Sequence, residues 1–324
     1  MLEVRNLKKT YYSGGRQIKA VNGISFTANE NEIFGVVGES GCGKSTLGRL
    51  ILRLIKPSGG QIFINGMDIT NLSRHAIRPL RRNMQMVFQN PFASFNPRIR
   101  IGAALMEVCR YYGMSAAESK GKIAGLFADT GLGEEMFYNW PRELSGGQLQ
   151  RLAIARALLS EPNLIIADEP LSALDVSVQA QLLNLLEDLC RSRTMTMVFI
   201  SHDMNVVEYF CDRVAVMYMG IIMELLSAAE LSANAMHPYT RTLKASAPRL
   251  DVFKDSSAAV QGTSTCGEGG IETFIIKGEI PNPKEQIKGC PFAPRCSEAS
   301  GSCKNSLPEL KQVSSGHWVR CCLS

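Results

Sequence analysis

One stretch limits the fold of this chain more than any other. Gly38-Glu39-Ser40-Gly41-Cys42-Gly43-Lys44-Ser45 follows the short apolar run Ile33–Val37 and leads into a helical pattern over Gly43 to Leu54. A glycine-rich loop between a buried strand and a helix, closed by Lys-Ser, fits the spacing G-x-x-x-x-G-K-[ST]. Glycines let successive backbone N–H groups converge on phosphate oxygens at the positive end of the helix. Lys44 adds a point charge for the β- and γ-phosphates, and the Ser45 hydroxyl is a hard oxygen ligand for Mg²⁺. The loop by itself specifies a nucleoside triphosphate and no more, because kinases, GTPases and helicases share it.

The rest of the chain places that loop in an alternating pattern. Gln61–Ile64, Gln85–Phe88, Asn163–Ala167, Thr196–Ile200 and Arg213–Met219 read as strands, with Pro57 to Gly60 as a turn. Helical spacing marks Ile101–Gly113, the stretch after Ser115, the segment from Ser145 through Leu159, and Val176–Arg191. Strand–helix alternation predicts a mainly parallel sheet covered on both faces, with a helical insertion from about 92 to 143. Asp168, directly after the apolar strand, is placed to hold the Mg²⁺ shell, and Glu169 to polarise an attacking water. Two adjacent acids after a strand also serve as helix caps; the loop upstream favours the catalytic reading.

Composition excludes other classes. The 324 residues are 45% hydrophobic and 20% charged, as in ordinary soluble domains, and no apolar run approaches the roughly 18 residues of a spanning helix. The start, MLEVRNLKKT, lacks the apolar core of a secretory signal. A net charge of +5 is mild for this length. The densest basic stretch, Arg74 to Arg82, reads as a solvated face without interleaved aromatics, so no nucleic-acid partner is expected.

Leu144-Ser145-Gly146-Gly147-Gln148 decides the family. Ser145 is a good helix N-cap and the two glycines make a turn, which leaves amides exposed at a helix N-terminus, a second anion site. Followed by Leu149-Gln150-Arg151, the segment resembles the signature motif of ABC (ATP-binding cassette) ATPases. The other family elements fall in order. Gln89 matches the Q-loop, Ser172-Ala173-Leu174-Asp175 the D-loop, and His202 the switch histidine; Tyr11 resembles the adenine-stacking aromatic, with Tyr12 as the fallback. The resemblance covers roughly residues 1–240. It implies a P-loop ABC ATPase fold, α/β, with a RecA-like core, an antiparallel β subdomain and a helical subdomain. It also implies a head-to-tail dimer in which Ser145, Gly146, Gly147 and Gln148 of one subunit meet the γ-phosphate held by the other. Mg²⁺ would lie among Ser45, Gln89 and Asp168, with Lys44, Glu169 and His202 serving hydrolysis.

Further runs point to a subfamily. Val37 to Thr46, Phe88 to Arg98 (FQNPFASFNPR) and His237-Pro238-Tyr239-Thr240 are similar to the oligopeptide/dipeptide importer ATPases. So is the tail Gly289-Cys290-Pro291-Phe292-Ala293-Pro294-Arg295-Cys296, with Gly316-His317 and Cys321 beyond it. Nickel and some oligosaccharide importers share these features. The resemblance implies a second ATPase, preferably a different chain, two membrane-spanning permease subunits and an extracytoplasmic solute-binding protein. The place of work is the cytoplasmic face of the membrane. The competing class, a soluble ABC ATPase of translation or DNA repair, resembles tandem cassettes or long coiled-coil insertions, and this chain has one cassette with an ordinary insertion.

Composition shifts after His237, giving an ATPase unit over 1–240 and a C-terminal extension over 241–324. Residues 251–273 are rich in Ser, Ala, Thr and Gly like a linker. Six of the ten cysteines crowd the last 59 residues. Cys290, Cys296, Cys303 and Cys321 have the number of thiols for a [4Fe–4S] cluster or, as the alternative, a tetrahedral Zn²⁺ site. Their spacings lack the tight pairs of zinc ribbons, and some members of the importer family resemble iron–sulfur proteins here. Cys322 is a substitute ligand, Cys266 looks incidental, and four unliganded thiols are the plain alternative. So short a Pro-rich segment is expected to need a metal centre to fold.

Overall fold

The computed structural model describes residues 1–172, 174–246 and 288–322. Two sheets organise it. Leu2–Ser13 (β1) and Arg16–Ala28 (β2) form a long antiparallel hairpin that Gly59–Ile64 (β4) and Met67–Asp68 (β5) extend in the order β2-β1-β4-β5. Among the described residues the main sheet has eight strands. Met84–Val87 (β6), Leu164–Asp168 (β7), Thr196–Ser201 (β8), Ile33–Val37 (β3) and Arg213–Tyr218 (β9) lie side by side and parallel. Ile221–Ser227 (β10), His317–Val319 (β12) and Lys311–Ser314 (β11) then continue it antiparallel.

Buried parallel strands read as continuous apolar runs because helices cover both faces. Here the alternation is hidden in which core each residue joins. Phe34, Val36, Ile166, Val198 and Ile200 enter one hydrophobic cluster, together with Leu47 and Leu50 of the helix Lys44–Ile51 (α1) and Val4 and Ile24 of the antiparallel sheet. Val37, Ile165, Ala167, Met197 and Phe199 point the other way, into the cluster shared with the helical insertion. The insertion contains Ile101–Tyr111 (α3) and Ala116–Asp129 (α4), after the single turn Arg74–Ile77 (α2). Ser115 and Glu118 close a capping box at the start of α4. Gly146–Leu158 (α5), Val176–Ser192 (α6) and Met204–Phe210 (α7) return the chain to the sheet. Leu231–Asn234 (α8) and Pro238–Ala245 (α9) follow β10, and Ser302–Asn305 (α10) lies in the tail.

Several expectations shift at their edges, for local reasons. The helix after the loop starts at Lys44 rather than Gly43, because Gly43 has φ 107°, outside helical space. It ends at Ile51 rather than Leu54, where Arg53 takes φ 52°. Strand β7 runs one residue further, to Asp168, and β4 begins at Gly59, inside the expected turn. The basic stretch is not free of aromatics in space: Arg78 donates to the Tyr111 hydroxyl at 2.8 Å and lies over its ring. No helix among the described residues is long and apolar enough to cross a membrane.

The tail departs most from expectation. Cys290, Phe292, Ala293 and Cys303 are buried in the hydrophobic cluster of the main sheet. Phe292 packs against Tyr218 and Tyr239 with ring centroids 5.5 and 5.2 Å away. Strand β12 bonds to β10, and Glu224, fully buried on β10, lies 2.8 Å from His317 Nε2 and accepts from the backbone N–H of Met236 and His237. The segment borrows its core from the rest of the chain, so a metal centre is not its sole means of folding. Cys266 and the proposed linker lie outside the described residues.

Candidate functional site

The loop from Gly38 to Ser45 sits at the C-terminal edge of β3, in the crevice where open α/β sheets hold ligands. Its path demands glycine at two positions. A Cβ on Gly43 would meet the carbonyl oxygen of Ala20 at 2.1 Å, and one on Gly38 would meet that of Met217 at 2.1 Å. The β9–β10 turn supports the loop from beneath, with Gly220 N–H donating to Cys42 O at 2.8 Å. Ser40, Gly41 and Thr46 occupy the tip and the first turn of α1 as expected.

Without a ligand, Lys44 satisfies its ammonium on the loop itself. Nζ donates to Gly38 O at 2.7 Å and Glu39 O at 3.1 Å, and stands 3.7 Å from the Glu169 carboxylate. The side chain is almost fully buried. Ser45 Oγ donates to Asp168 Oδ1 at 2.8 Å. Burial pushes the Asp168 carboxyl above its ordinary range, while the Ser45 hydrogen bond and the Arg49 and Lys44 charges act against that shift. A hydroxyl and a carboxylate held together at the foot of the loop are hard oxygen donors of the kind Mg²⁺ takes.

Glu169 gathers the remaining groups. Gln89 Nε2 donates to Glu169 Oε2 at 3.0 Å, and His202 Nδ1 lies 3.4 Å from the same oxygen. The backbone fixes this acid: Glu169 takes φ 47°, its N–H bonds to Ile200 O at 2.9 Å, and its C=O accepts from Ser172 Oγ at 3.1 Å. Three side chains from distant parts of the sequence thus meet one carboxylate at the sheet edge. Tyr11 lies on β1 opposite Ile18, with its ring 41% exposed and Lys9 Nζ 5.0 Å from its centroid. The hairpin carrying it passes Gly43 at Ala20, which puts an exposed aromatic on the element bordering the loop.

The Ser145–Gln148 segment caps a different helix. Ser145 Oγ accepts from Gln148 N–H and Gln148 Oε1 accepts from Ser145 N–H, a closed box at the start of α5. Ser145 is exposed, and Gly146 and Gly147 back onto Leu174 and Val178. Asp175 caps α6 by accepting from Val178 N–H at 3.0 Å. Ala173 lies outside the described residues.

The tail cysteines neighbour one another. Burial first, then the Cys303 and Cys296 thiols, push Cys290 up to about 11, and burial raises Cys296, which also feels Cys321 and Cys303. Hydrogen bonding to Ser300 holds Cys303 below its ordinary value. Among the described residues, no three His, Cys, Asp or Glu side chains stand close enough to hold a metal ion.

Two residues of the site escaped the sequence reading. Arg295 of the tail and Tyr239 of α9 both bond to Glu39 in the loop. The signal available was an arginine inside an apolar Pro-Phe-Ala-Pro-Arg run and an acid in a loop built for anions.

Comparison with known proteins identifies the family. The ABC transporter family profile matches residues 21–172, and that of the oligopeptide/dipeptide transporter C-terminal region matches 223–266 and 268–303. The chain is 45% identical to the oligopeptide transport ATP-binding protein AppF of Bacillus subtilis over 99% of this chain and 96% of the relative. It is 43% identical to a putative peptide import ATP-binding protein of Brucella ovis, covering 99% and 97%. Among solved structures, a dimeric ATP-binding cassette in a post-hydrolysis state with ADP and phosphate superposes with a TM-score of 0.65. It is 30% identical and covers 70% of this chain and 99% of its own.

Proposed function

The chain belongs to the ATP-binding subunits of ABC transporters, in the oligopeptide/dipeptide importer family, and on that premise we propose that it powers peptide uptake as one half of an ATP-sandwiching dimer. It is an ATPase, and the observation that carries the reading is the convergence of Lys44, Gln89 and His202 on Glu169, beside the Ser45–Asp168 pair.

The proposed roles follow from position. Gly38 through Thr46 cradle the phosphates, and Lys44 exchanges its loop carbonyls for β- and γ-phosphate oxygens. Ser45, Asp168 and Gln89 would hold Mg²⁺, which when bound neutralises charge on the phosphates. Glu169 orients or deprotonates water, and His202 contacts the γ-phosphate. Tyr11 stacks on adenine. Ser145 to Gln148 and Asp175 serve the site of the opposite subunit, which we take to be a second, different ATPase. ATP closes the dimer and loss of the γ-phosphate reopens it. Residues 1–240 form the ATPase unit and 241–324 the extension. The assembly is peripheral, on the cytoplasmic face, with two permease subunits and an extracytoplasmic binding protein that choose the solute.

Purification from detergent-solubilised membranes tests this reading. The chain is expected to emerge with two membrane-spanning proteins and to hydrolyse ATP in that complex. Recovery with ribosomes or DNA and with no membrane-spanning partner would replace transport by the soluble class.

For the tail we propose that Cys290, Cys296, Cys303 and Cys321 bind a [4Fe–4S] cluster in preference to Zn²⁺, in a structural role. What supports it is that the four cysteines belong to one small unit, with Cys290 feeling Cys303 and Cys296 and Cys296 feeling Cys321. As they stand no three are close enough to hold a metal, and the side chains would have to turn toward a common centre on loading. Anaerobically purified protein is expected to absorb in the visible range and to contain iron. A colourless protein without iron or zinc, with all four cysteines alkylatable, ends the proposal.

A further inference from the structure

The phosphate loop is gripped from outside the nucleotide crevice. The Glu39 carboxylate receives both Nη groups of Arg295, at 2.8 and 2.9 Å, across 256 residues of sequence. Both side chains are largely buried, at 5% and 15% exposure. Arg295 also donates to the Tyr218 hydroxyl at 3.1 Å, and Phe292 lies beneath its guanidinium. The Glu39 N–H donates to the Tyr239 hydroxyl at 3.0 Å, and that hydroxyl faces Met217 O. The Glu39 carbonyl is one of the two acceptors that Lys44 must leave to reach a phosphate. Every polar group of this one residue is therefore committed, its side chain to the tail and its N–H to α9.

We infer that Arg295 is a positioning residue for the nucleotide site: through Glu39 it sets the shape of the phosphate loop and cancels an acid that would otherwise oppose the incoming triphosphate. The C-terminal extension then supports the ATP site from behind the phosphate loop. A bidentate Arg–carboxylate pair fixes orientation as well as charge, which a lysine in the same place does not. Removing one member of a buried pair leaves an uncompensated charge, whereas neutralising both does not. The inference rests on the nucleotide-site reading given above.

Titration of the chain over residues 1–324 with a fluorescent ATP analogue and Mg²⁺ tests it on wild type, Arg295→Gln, Arg295→Lys, Glu39→Gln and the double variant Glu39→Gln/Arg295→Gln. Thermal melting and metal content are measured on each. Arg295→Gln is expected to bind on the order of tenfold more weakly, within the range shown by coupled sites. Arg295→Lys falls between it and wild type. The double variant binds no more weakly than Glu39→Gln alone, so the penalty of losing Arg295 vanishes once its partner is neutral. Hydrogen exchange is expected to quicken over residues 38–46 in Arg295→Gln. Wild-type affinity in a folded Arg295→Gln protein overturns the inference, as does a double variant carrying the sum of both losses. Should Arg295→Gln fail to fold, wild-type affinity in a folded Arg295→Lys protein overturns it instead. A wild-type chain that binds no ATP would sink the nucleotide-site reading itself, a result distinct from these.

Discussion

Glu169→Gln leaves MgATP binding intact, slows hydrolysis by about 10²–10⁴-fold, the range for losing a positioned base, and traps a closed dimer. The substitution suits this site because it changes charge without changing shape. Glu169 is pinned by its backbone, with φ 47° and an N–H bond to Ile200 O, so a replacement of equal length keeps its place. The new amide oxygen still accepts from Gln89, but the residue loses its charge and with it the capacity to take a proton. Lys44 is freed from the 3.7 Å ion pair, which favours its move to the phosphates. Binding thus holds or tightens while turnover falls, and that split separates a base from a mere structural acid. Phosphate release from the assembled transporter gives the rate, and size-exclusion chromatography with ATP shows the trapped dimer. Turnover near wild type would remove Glu169 from the role of base.

The parts of this site that were legible in the sequence are those built from consecutive residues. Strand, glycine loop and helix over 33–51 form one local unit whose spacing the phosphate chemistry dictates, and the capping box at Ser145 and Gln148 is likewise local. Gln89 and His202 were assigned through resemblance to the family's motif order, and their meeting at Glu169 is a finding of the structure: each stands just beyond a strand, and parallel strands bring such positions to one edge. What stayed hidden depends on pairings that no local pattern announces. Strand β12 is three residues long, and its place beside β10 is fixed by the buried Glu224–His317 contact. The grip of Arg295 on Glu39 joins the two ends of the chain, and neither residue alone reveals the other. The tail was read as too small to fold on its own count of apolar residues, whereas Phe292 and Cys290 fill a core that the ATPase unit already supplies.

Ser145→Arg abolishes hydrolysis at the site of the opposite subunit while the isolated chain still binds nucleotide. Ser145 belongs to a helix start whose hydrogen bonds close on Gln148, and the phosphate loop of the same chain holds its own Lys44 and Ser45 contacts independently. Losing the cap costs about 1 kcal/mol, too little to unfold a domain of this size. Ser145→Ala loses the same cap and supplies the control. The arginine differs by bulk and by charge at an exposed helix N-terminus, where Gly146 and Gly147 leave the amides open and Val178 closes off the inner side. An anion arriving from a partner subunit then meets a side chain instead of N–H donors. Loss of one such preorganised donor already costs about 10²–10³-fold in rate. The sandwich arrangement therefore predicts that the opposite subunit's site hydrolyses measurably with Ser145→Ala and not with Ser145→Arg, and that both variants bind the fluorescent nucleotide as monomers with wild-type affinity. A strictly monomeric preparation hydrolysing at full rate, with Ser145→Arg equal to wild type, would show that this chain completes its site alone.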